Sequence, residues 1–245
     1  TGLGSTFQKS GPLLFLVERM YYEGLKKASC VFFQNEENRQ IFRRGGLVSG
    51  RDRLVPGSGV NTKVWQAMPY PKDEVTNFLF VGRVMKEKGI EEFFRAAEVL
   101  HSEKVLFSIC GYCDEDYQEE LDERASRGEI LQLGFHPDMH EFYRDCSAVV
   151  MPTWHEGMSN VLMEASACAR PVIASNISGC REIFEDGVTG YGFAPHSPEE
   201  LIRTLRHFLT LDRSQRAAMG EAARQKMIEE FDREKVAAAY LEEIH

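Results

Sequence analysis

Ala148-Val-Val-Met-Pro-Thr-Trp-His-Glu-Gly-Met-Ser-Asn-Val-Leu-Met-Glu164 is the stretch on which the reading of this chain turns. Its first four residues, Ala148 to Met151, form an apolar run of strand length that stops at Pro152. A helix is expected to begin near Ser159 or Asn160. Glu156 then lies in the loop and Glu164 one turn into the helix, so both carboxylates are expected to face one cleft. Between them lie the backbone N–H groups of Gly157, Met158, Ser159, Asn160 and Val161, at a helix N-terminus that favours an anion. One carboxylate for sugar hydroxyls, free N–H groups for a diphosphate and a second carboxylate for a ribose fit a nucleotide-linked sugar. Taken alone, the two Glu are better explained as complements to a helix dipole, because short patterns match by chance. The rest of the chain reverses that balance.

Outward from this stretch, strand and helix signals alternate. Asn77–Val81, Val105–Ile109, Ile130–Leu133, Ala148–Met151 and Pro171–Ala174 read as strands. Between the first two, Ile90, Phe93, Phe94, Ala97 and Leu100 share one helical face. An acidic helix is expected from about Glu115 to Arg127, another after Pro137, and another around Glu164. Both faces of the strands are apolar, as in a parallel sheet covered by helices. The pattern predicts a Rossmann-like, doubly wound α/β domain that binds ligands at the carboxyl ends of its strands. Residues 1–76 differ: a helix over Pro12–Ala28, a strand at Val31–Phe33, a short helix over Glu36–Phe42 and a strand at Arg53–Val55, then turn and linker signals at Pro56-Gly-Ser-Gly59, Pro69 and Pro71. From Ser197 to His245 the chain reads as helical, with one stripe through Leu201, Ile202, Leu205, Phe208 and Leu209 and another through Val236, Tyr240, Leu241 and Ile244.

Composition narrows the function. With 29 Lys+Arg against 38 Asp+Glu the net charge is −9, which argues against broad nucleic-acid binding. No apolar stretch approaches the roughly 18 residues of a membrane span. The six Cys are scattered, mostly in apolar segments, and suit a reducing compartment. Cys110-Gly-Tyr-Cys113 lacks the context of a redox pair and no second CxxC completes a zinc site. His136 and His140 have no third ligand nearby, and Ser159 replaces the last His of a zincin motif after His155-Glu156. No metal site is expected.

A second constellation follows the first sheet strand: Val81-Gly-Arg83, Lys86 and Lys88-Gly89. The strand ends at Gly82, where a missing side chain lets a ligand approach. Arg83, by a bidentate fork, and Lys88, as a point charge, can neutralise a diphosphate without a metal. A solvated turn explains these residues equally well in isolation. Their position, a loop after a strand like that of the Glu pair, gives the pairing meaning.

Together these residues resemble the donor-binding half of a family 4 glycosyltransferase of GT-B architecture. The match runs from about Phe78 to Phe193 and includes Phe80-Val-Gly-Arg83, Lys86-Glu-Lys-Gly89, Leu133-Gly-Phe135, Met151-Pro152, Glu156 with Glu164, Ala169-Arg-Pro-Val-Ile-Ala174, Ser178-Gly-Cys-Arg-Glu182 and Asp186-Gly-Val-Thr-Gly-Tyr191. Residues 1–60 are similar to the bacterial subgroup that builds capsular, O-antigen-like or lipid-linked oligosaccharides. The resemblance implies that Arg83 and Lys88 bind the donor diphosphate and stabilise the departing nucleotide. It implies that Glu164 binds the ribose, that Glu156 contacts the transferred sugar, and that the N–H groups from Gly157 to Asn160 hold sugar hydroxyls and phosphate. Phe135 and His136 would line the base pocket. It further implies retention of configuration, no metal, uridine as the expected base, and a glycan or polyprenyl-linked acceptor.

The same resemblance implies a division into 1–70, the last part of an N-terminal acceptor domain with its linker; 71–230, the donor domain; and 231–245, a helix returning toward the N-terminal domain. Thr1-Gly-Leu-Gly4 stands where many relatives carry a His-containing segment, so no catalytic His is assigned. With only part of a first domain, this chain is expected to bind donor and to transfer poorly. The rivals are a nucleotide-sugar epimerase of the same architecture and a non-catalytic nucleotide-binding module. The expected location is the cytoplasm, with peripheral membrane contact for a lipid-linked acceptor. Leu13–Val17, Tyr21, Tyr22, Lys26 and Lys27 read either as an interfacial helix or, better, as a helix packed on the N-terminal domain.

Overall fold

The computed structural model describes residues 11–72, 74–114 and 116–243. Thr1-Gly-Leu-Gly4, Glu115, Ile244 and His245 lie outside them, and so do the expectations placed on those residues.

The N-terminal segment contains α1 (Pro12–Leu25), β1 (Cys30–Phe33), α2 (Glu36–Arg44) and β2 (Arg51–Leu54), with β1 and β2 paired in parallel. Phe33, Phe42 and Leu47 form its small core. The rest of the chain runs β3 (Thr76–Val81), α3 (Ile90–Leu100), β4 (Val105–Cys110), α4 (Gln118–Ser126), β5 (Leu131–Gly134), α5 (His140–Asp145), β6 (Ala148–Met151), α6 (Asn160–Ala167), β7 (Val172–Ser175), β8 (Gly190–Phe193), α7 (Pro198–Thr210), α8 (Arg213–Glu230) and α9 (Arg233–Leu241). Every ladder of the six-stranded sheet is parallel, in the order β5-β4-β3-β6-β7-β8. This is the doubly wound order, and the winding reverses between β3 and β6.

Burial explains the order. Every residue of β6 and β7 is buried, so these strands need helices on both faces. One face packs Phe93, Phe94, Leu201, Leu205 and Phe208; the other packs Leu162, Met163, Met227 and Phe231. The edge strand β5 departs from the expectation of two apolar faces, since Leu131 is 51% exposed. β8 is a strand that sequence patterning missed. Its Gly190-Tyr-Gly-Phe193 has no alternation, yet Gly190 is what permits the pairing: a Cβ there would lie 2.2 Å from the Val172 carbonyl oxygen.

The helical tail consists of α7, α8 and α9, and the second expected stripe does not form a core. Val236 is buried, but Leu241 is 55% exposed. α9 lies against the N-terminal segment: Tyr240 rests 4.4 Å from Phe32, and Arg53 pairs with Glu242 at 2.8 Å and Glu243 at 3.1 Å. No side chain of α1 is buried among the described residues; Tyr21 meets Phe42 edge-on at 5.0 Å, while Leu13, Phe15 and Met20 stay exposed.

Arg170 is the largest fully buried side chain. Its Nε donates to the Tyr143 carbonyl at 2.6 Å, and its Nη2 to the carbonyls of Pro69 at 2.8 Å and Arg144 at 3.0 Å. Nη1 reaches the Met68 and Ala169 carbonyls, each at 3.1 Å. One guanidinium thus ties the 68–69 linker, the end of α5 and the turn before β7, and it neutralises orphan helix-end carbonyls. Burial pulls its pKa down. Lys offers one point charge in place of this planar fork. Arg170→Lys is therefore expected to lower stability by about 3 kcal/mol or more, read as a fall in the denaturation midpoint. A change within about 0.5 kcal/mol would show that these bonds are dispensable.

Candidate active site

At the point where the winding reverses, the loops after β3 and β6 are pressed together. Gly89 sits in the left-handed region at φ 74°, and a Cβ on it would lie 2.0 Å from the Pro152 carbonyl oxygen. Both the backbone angle and the space demand glycine. The Trp154 N–H donates to the Glu87 carbonyl at 2.9 Å, and the Thr153 hydroxyl donates to the same oxygen at 3.3 Å. This crossing sets Lys88 Nζ 2.6 Å from Glu156 Oε1, with the two side chains 24% and 14% exposed. An ammonium carries three donors, so Lys88 can hold Glu156 and still face an anion.

The loop after β7 buttresses the same place. The Gly179 carbonyl accepts the Ser159 N–H at 2.9 Å, and a Cβ on Gly179 would lie 2.7 Å from the Glu156 carbonyl oxygen. From the N-terminal segment, the Asn35 amide donates to the Gly157 carbonyl at 2.7 Å. The walls enclose a cleft of about 590 Å³ that takes in Arg83, Lys88, Trp154, Glu156 and Gly157, with Asn176, Ser178, Arg181 and His196 from the next two loops and Glu37 and Asn38 from α2. Arg181 and Glu37 pair across it at 3.0 Å. The Trp154 indole donates to the buried Glu92 at 2.9 Å, and the other Glu92 carboxylate oxygen has no partner.

α6 begins at Asn160, with Ser159 as its N-cap. The N–H groups of Asn160 and Val161, in the first turn, have no acceptor inside the helix and offer partial positive charge. Ser159 is different from expectation. Its N–H is taken by Gly179, its hydroxyl accepts the Leu162 N–H at 3.3 Å, and the residue is 2% exposed, so it serves the loop and not a ligand. The Met158 side chain is likewise core, 9% exposed and packed against Gly57.

Glu156 and Glu164 do not line one cavity. The entry to α6 stands between them, and Glu164 opens into a smaller cavity of about 80 Å³ lined by Ser58, Asn61, Trp65, Asn160 and Arg233. There it accepts a hydrogen bond from the Tyr143 hydroxyl at 3.2 Å. Burial pushes the Glu164 carboxyl up from its ordinary 4.5. Arg83 lines the large cleft but its guanidinium is held by Asp114 at 2.6 Å, a partner the sequence did not suggest. Gly82 lies under the neighbouring loop: a Cβ on Gly111 would lie 1.7 Å from the Gly82 carbonyl oxygen, which accounts for the glycine inside the CxxC. Phe135 is 64% exposed and meets Tyr112 edge-on at 6.0 Å. His136 is turned back, with its ring Nε2 2.9 Å from the Leu133 carbonyl and its ring against Phe142 at 4.5 Å. Neither Phe135 nor His136 lines the large cleft. Trp154, inside the diagnostic stretch, also lines the cleft. The contacts that bring Asn35, Glu37 and Arg181 to the cleft carry no local signal, because those partners are more than a hundred residues away. Among the described residues no three His, Cys, Asp or Glu side chains converge as metal ligands would.

A doubly wound sheet with a charged pair at its switch point places the cleft where open α/β domains bind their ligands. The model of the family Glycosyl transferases group 1 matches residues 66–226, and the chain belongs to that family. The fold is that of the GT-B glycosyltransferases. Among relatives, N,N'-diacetylbacillosaminyl-diphospho-undecaprenol alpha-1,3-N-acetylgalactosaminyltransferase of Campylobacter jejuni is 25% identical, over 98% of this chain and 67% of its own length. Glycogen synthase of Mycobacterium tuberculosis is 26% identical over 86% of this chain, which spans about half (51%) of that relative. Among solved structures, HepE of Anabaena in complex with UDP superposes with a TM-score of 0.83 at 20% identity, covering 99% of this chain and 70% of that one. Sucrose-phosphate synthase of Thermosynechococcus elongatus gives 0.81 at 23% identity, covering 98% and 64%.

Two outcomes follow from this geometry. Gly89→Ala is expected to cost about 2 kcal/mol or more of stability, measured by denaturant unfolding, because it is both strained and obstructed. Glu164→Gln is expected to act oppositely. The folded carboxyl is raised, so ionised Glu164 carries a desolvation penalty at high pH that disappears once both states are protonated, below 4.5. The variant, which keeps an acceptor for Tyr143, should melt above the parent at pH 8, and the gap should close as pH falls toward 4.5. A gap independent of pH would contradict this account.

Proposed function

We propose that the protein is a retaining glycosyltransferase that moves a hexose-type sugar from a UDP-sugar to a glycan or polyprenyl-linked acceptor in polysaccharide assembly. The observation that carries this reading is the 2.6 Å Lys88–Glu156 pair beside the start of α6, at the sheet's switch point, in a chain of this family. An extended donor lying across the start of α6 reaches both carboxylates. Its sugar meets Glu156 in the large cleft, its diphosphate meets Lys88, Arg83 and the N–H groups of Asn160 and Val161, and its ribose meets Glu164. The exposed Phe135 and Tyr112 offer faces to the base. As the glycosidic bond breaks, charge gathers on the departing diphosphate, and Lys88 is already held where that charge appears. In this reading Lys88 and Arg83 supply the positive charge and no metal is needed.

The acceptor and the base are supported by what relatives handle. The Campylobacter enzyme's name specifies a diphospho-undecaprenol-linked acceptor, and HepE is solved with UDP and with UDP-glucose. A polyprenyl-linked acceptor would bring the protein to the cytoplasmic membrane face; among the described residues no helix is long and apolar enough to cross a membrane.

The test is calorimetric titration with UDP, GDP and ADP, with and without EDTA. Saturable UDP binding that EDTA leaves unchanged and that Glu164→Ala and Lys88→Ala both weaken is the expected result. Lys88→Ala should also lower kcat by about 10²–10³-fold, the range for a lost donor to developing charge. Binding of no nucleotide, or binding indifferent to both substitutions, would overturn the proposal.

A further inference from the structure

Asn35 is 1% exposed and lies 122 residues from its main partner. It does two things at once. Its Oδ1 accepts the Asn38 N–H at 2.9 Å and so caps α2. Its Nδ2 donates to the Gly157 carbonyl at 2.7 Å. Gly157 directly follows Glu156 and has the widest backbone freedom in that loop. The same carbonyl is approached from the other side by Gly179, where a Cβ would lie 2.8 Å away. The Gly157 peptide next to the sugar-side carboxylate is thus held by a buried amide from the N-terminal segment.

We propose that Asn35 is a positioning residue for sugar transfer: anchored at the start of α2, its amide holds the Gly157 peptide and thereby sets where the Glu156 carboxylate stands. The inference rests on the reading of Glu156 as the carboxylate that faces the transferred sugar. The nucleotide is held elsewhere, by Lys88, the start of α6 and Glu164. Loss of the Asn35 bond should therefore impair turnover and spare nucleotide affinity.

Two substitutions separate the cap from the clamp. Asn35→Asp keeps a cap oxygen of equal quality but sets a carboxylate against the Gly157 carbonyl. Asn35→Ser keeps the cap and cannot span to Gly157. Hydrogen exchange of residues 154–160, UDP affinity, and steady-state release of UDP from UDP-glucose or UDP-N-acetylglucosamine are measured on the purified protein. In both variants exchange of 154–160 should rise about tenfold while β6 and β7 stay protected, the size expected for one lost buried hydrogen bond. UDP affinity should stay within about threefold, and kcat should fall about 10–100-fold with little change in KM for the donor. Unchanged exchange overturns the proposal whatever the activity. So does a parallel loss of UDP affinity and of protection throughout the sheet, which marks a general structural role. Raised local exchange with unchanged kcat marks a clamp that does not serve the reaction and overturns the proposal, whereas a parent that binds no UDP refutes the donor reading on which it rests.

Discussion

The contact between the Gly89 backbone and the Pro152 carbonyl is the constraint on which the site depends. In a doubly wound sheet the loops at the switch point diverge to opposite faces and leave a crevice. Here the two loops are drawn together across that crevice, at a distance no Cβ would allow. The Trp154 and Thr153 bonds to Glu87 lock the crossing, and the Lys88–Glu156 pair follows from it. Neither charge stands alone in a half-buried cleft, where an unpaired one would be costly. The pair leaves further donors of Lys88 for an incoming anion.

Other groups in the molecule are held against their own stability. Glu164 is half-buried next to a hydroxyl when its carboxyl would be better solvated, and Glu92 keeps one carboxylate oxygen without a partner while the other orients Trp154. Such costs concentrate where ligands are handled. Arg170 lies on the far side from the cleft and works in the reverse sense, satisfying carbonyls from three segments so that α5, the 68–69 linker and β7 share one framework. The chain as a whole carries a net charge of −9, and in the cleft Arg83, Lys88 and Arg181 stand beside Glu37, Glu87 and Glu156.

The N-terminal segment and the rest of the chain meet through the Phe32–Tyr240 ring contact and through polar contacts. Asn35 with Gly157, Glu37 with Arg181, and Arg53 with the end of α9 join them at widely spaced points. Exposed ion pairs of this kind contribute little each, on the order of 0–1 kcal/mol. The buried Asn35 amide is of another kind, since its loss leaves a carbonyl unsatisfied beside Glu156.

Much of this was legible in the amino-acid order. Five of the six strands, the alternation with helices, the parallel sheet and the start of α6 follow from local apolar runs and from the helix entry after Glu156, because these signals act within ten or so residues. The glycosyltransferase resemblance is carried by the ordered motifs from Phe80-Val-Gly-Arg83 to Asp186-Gly-Val-Thr-Gly-Tyr191, Glu156 and Glu164 among them, and the family assignment agrees with it. The strand at Gly190–Phe193 was hidden because its glycines answer to Val172 on a neighbouring strand and not to a pattern of their own. The separation of Glu156 from Glu164 into two cavities, the consumption of the Ser159 N–H by Gly179, the capture of Arg83 by Asp114 and the reach of Asn35 across 122 residues were decided only in three dimensions. Sequence spacing specifies which groups share an element; which face of that element they take, and which distant carbonyl or carboxylate completes them, depends on how the loops at the switch point are packed.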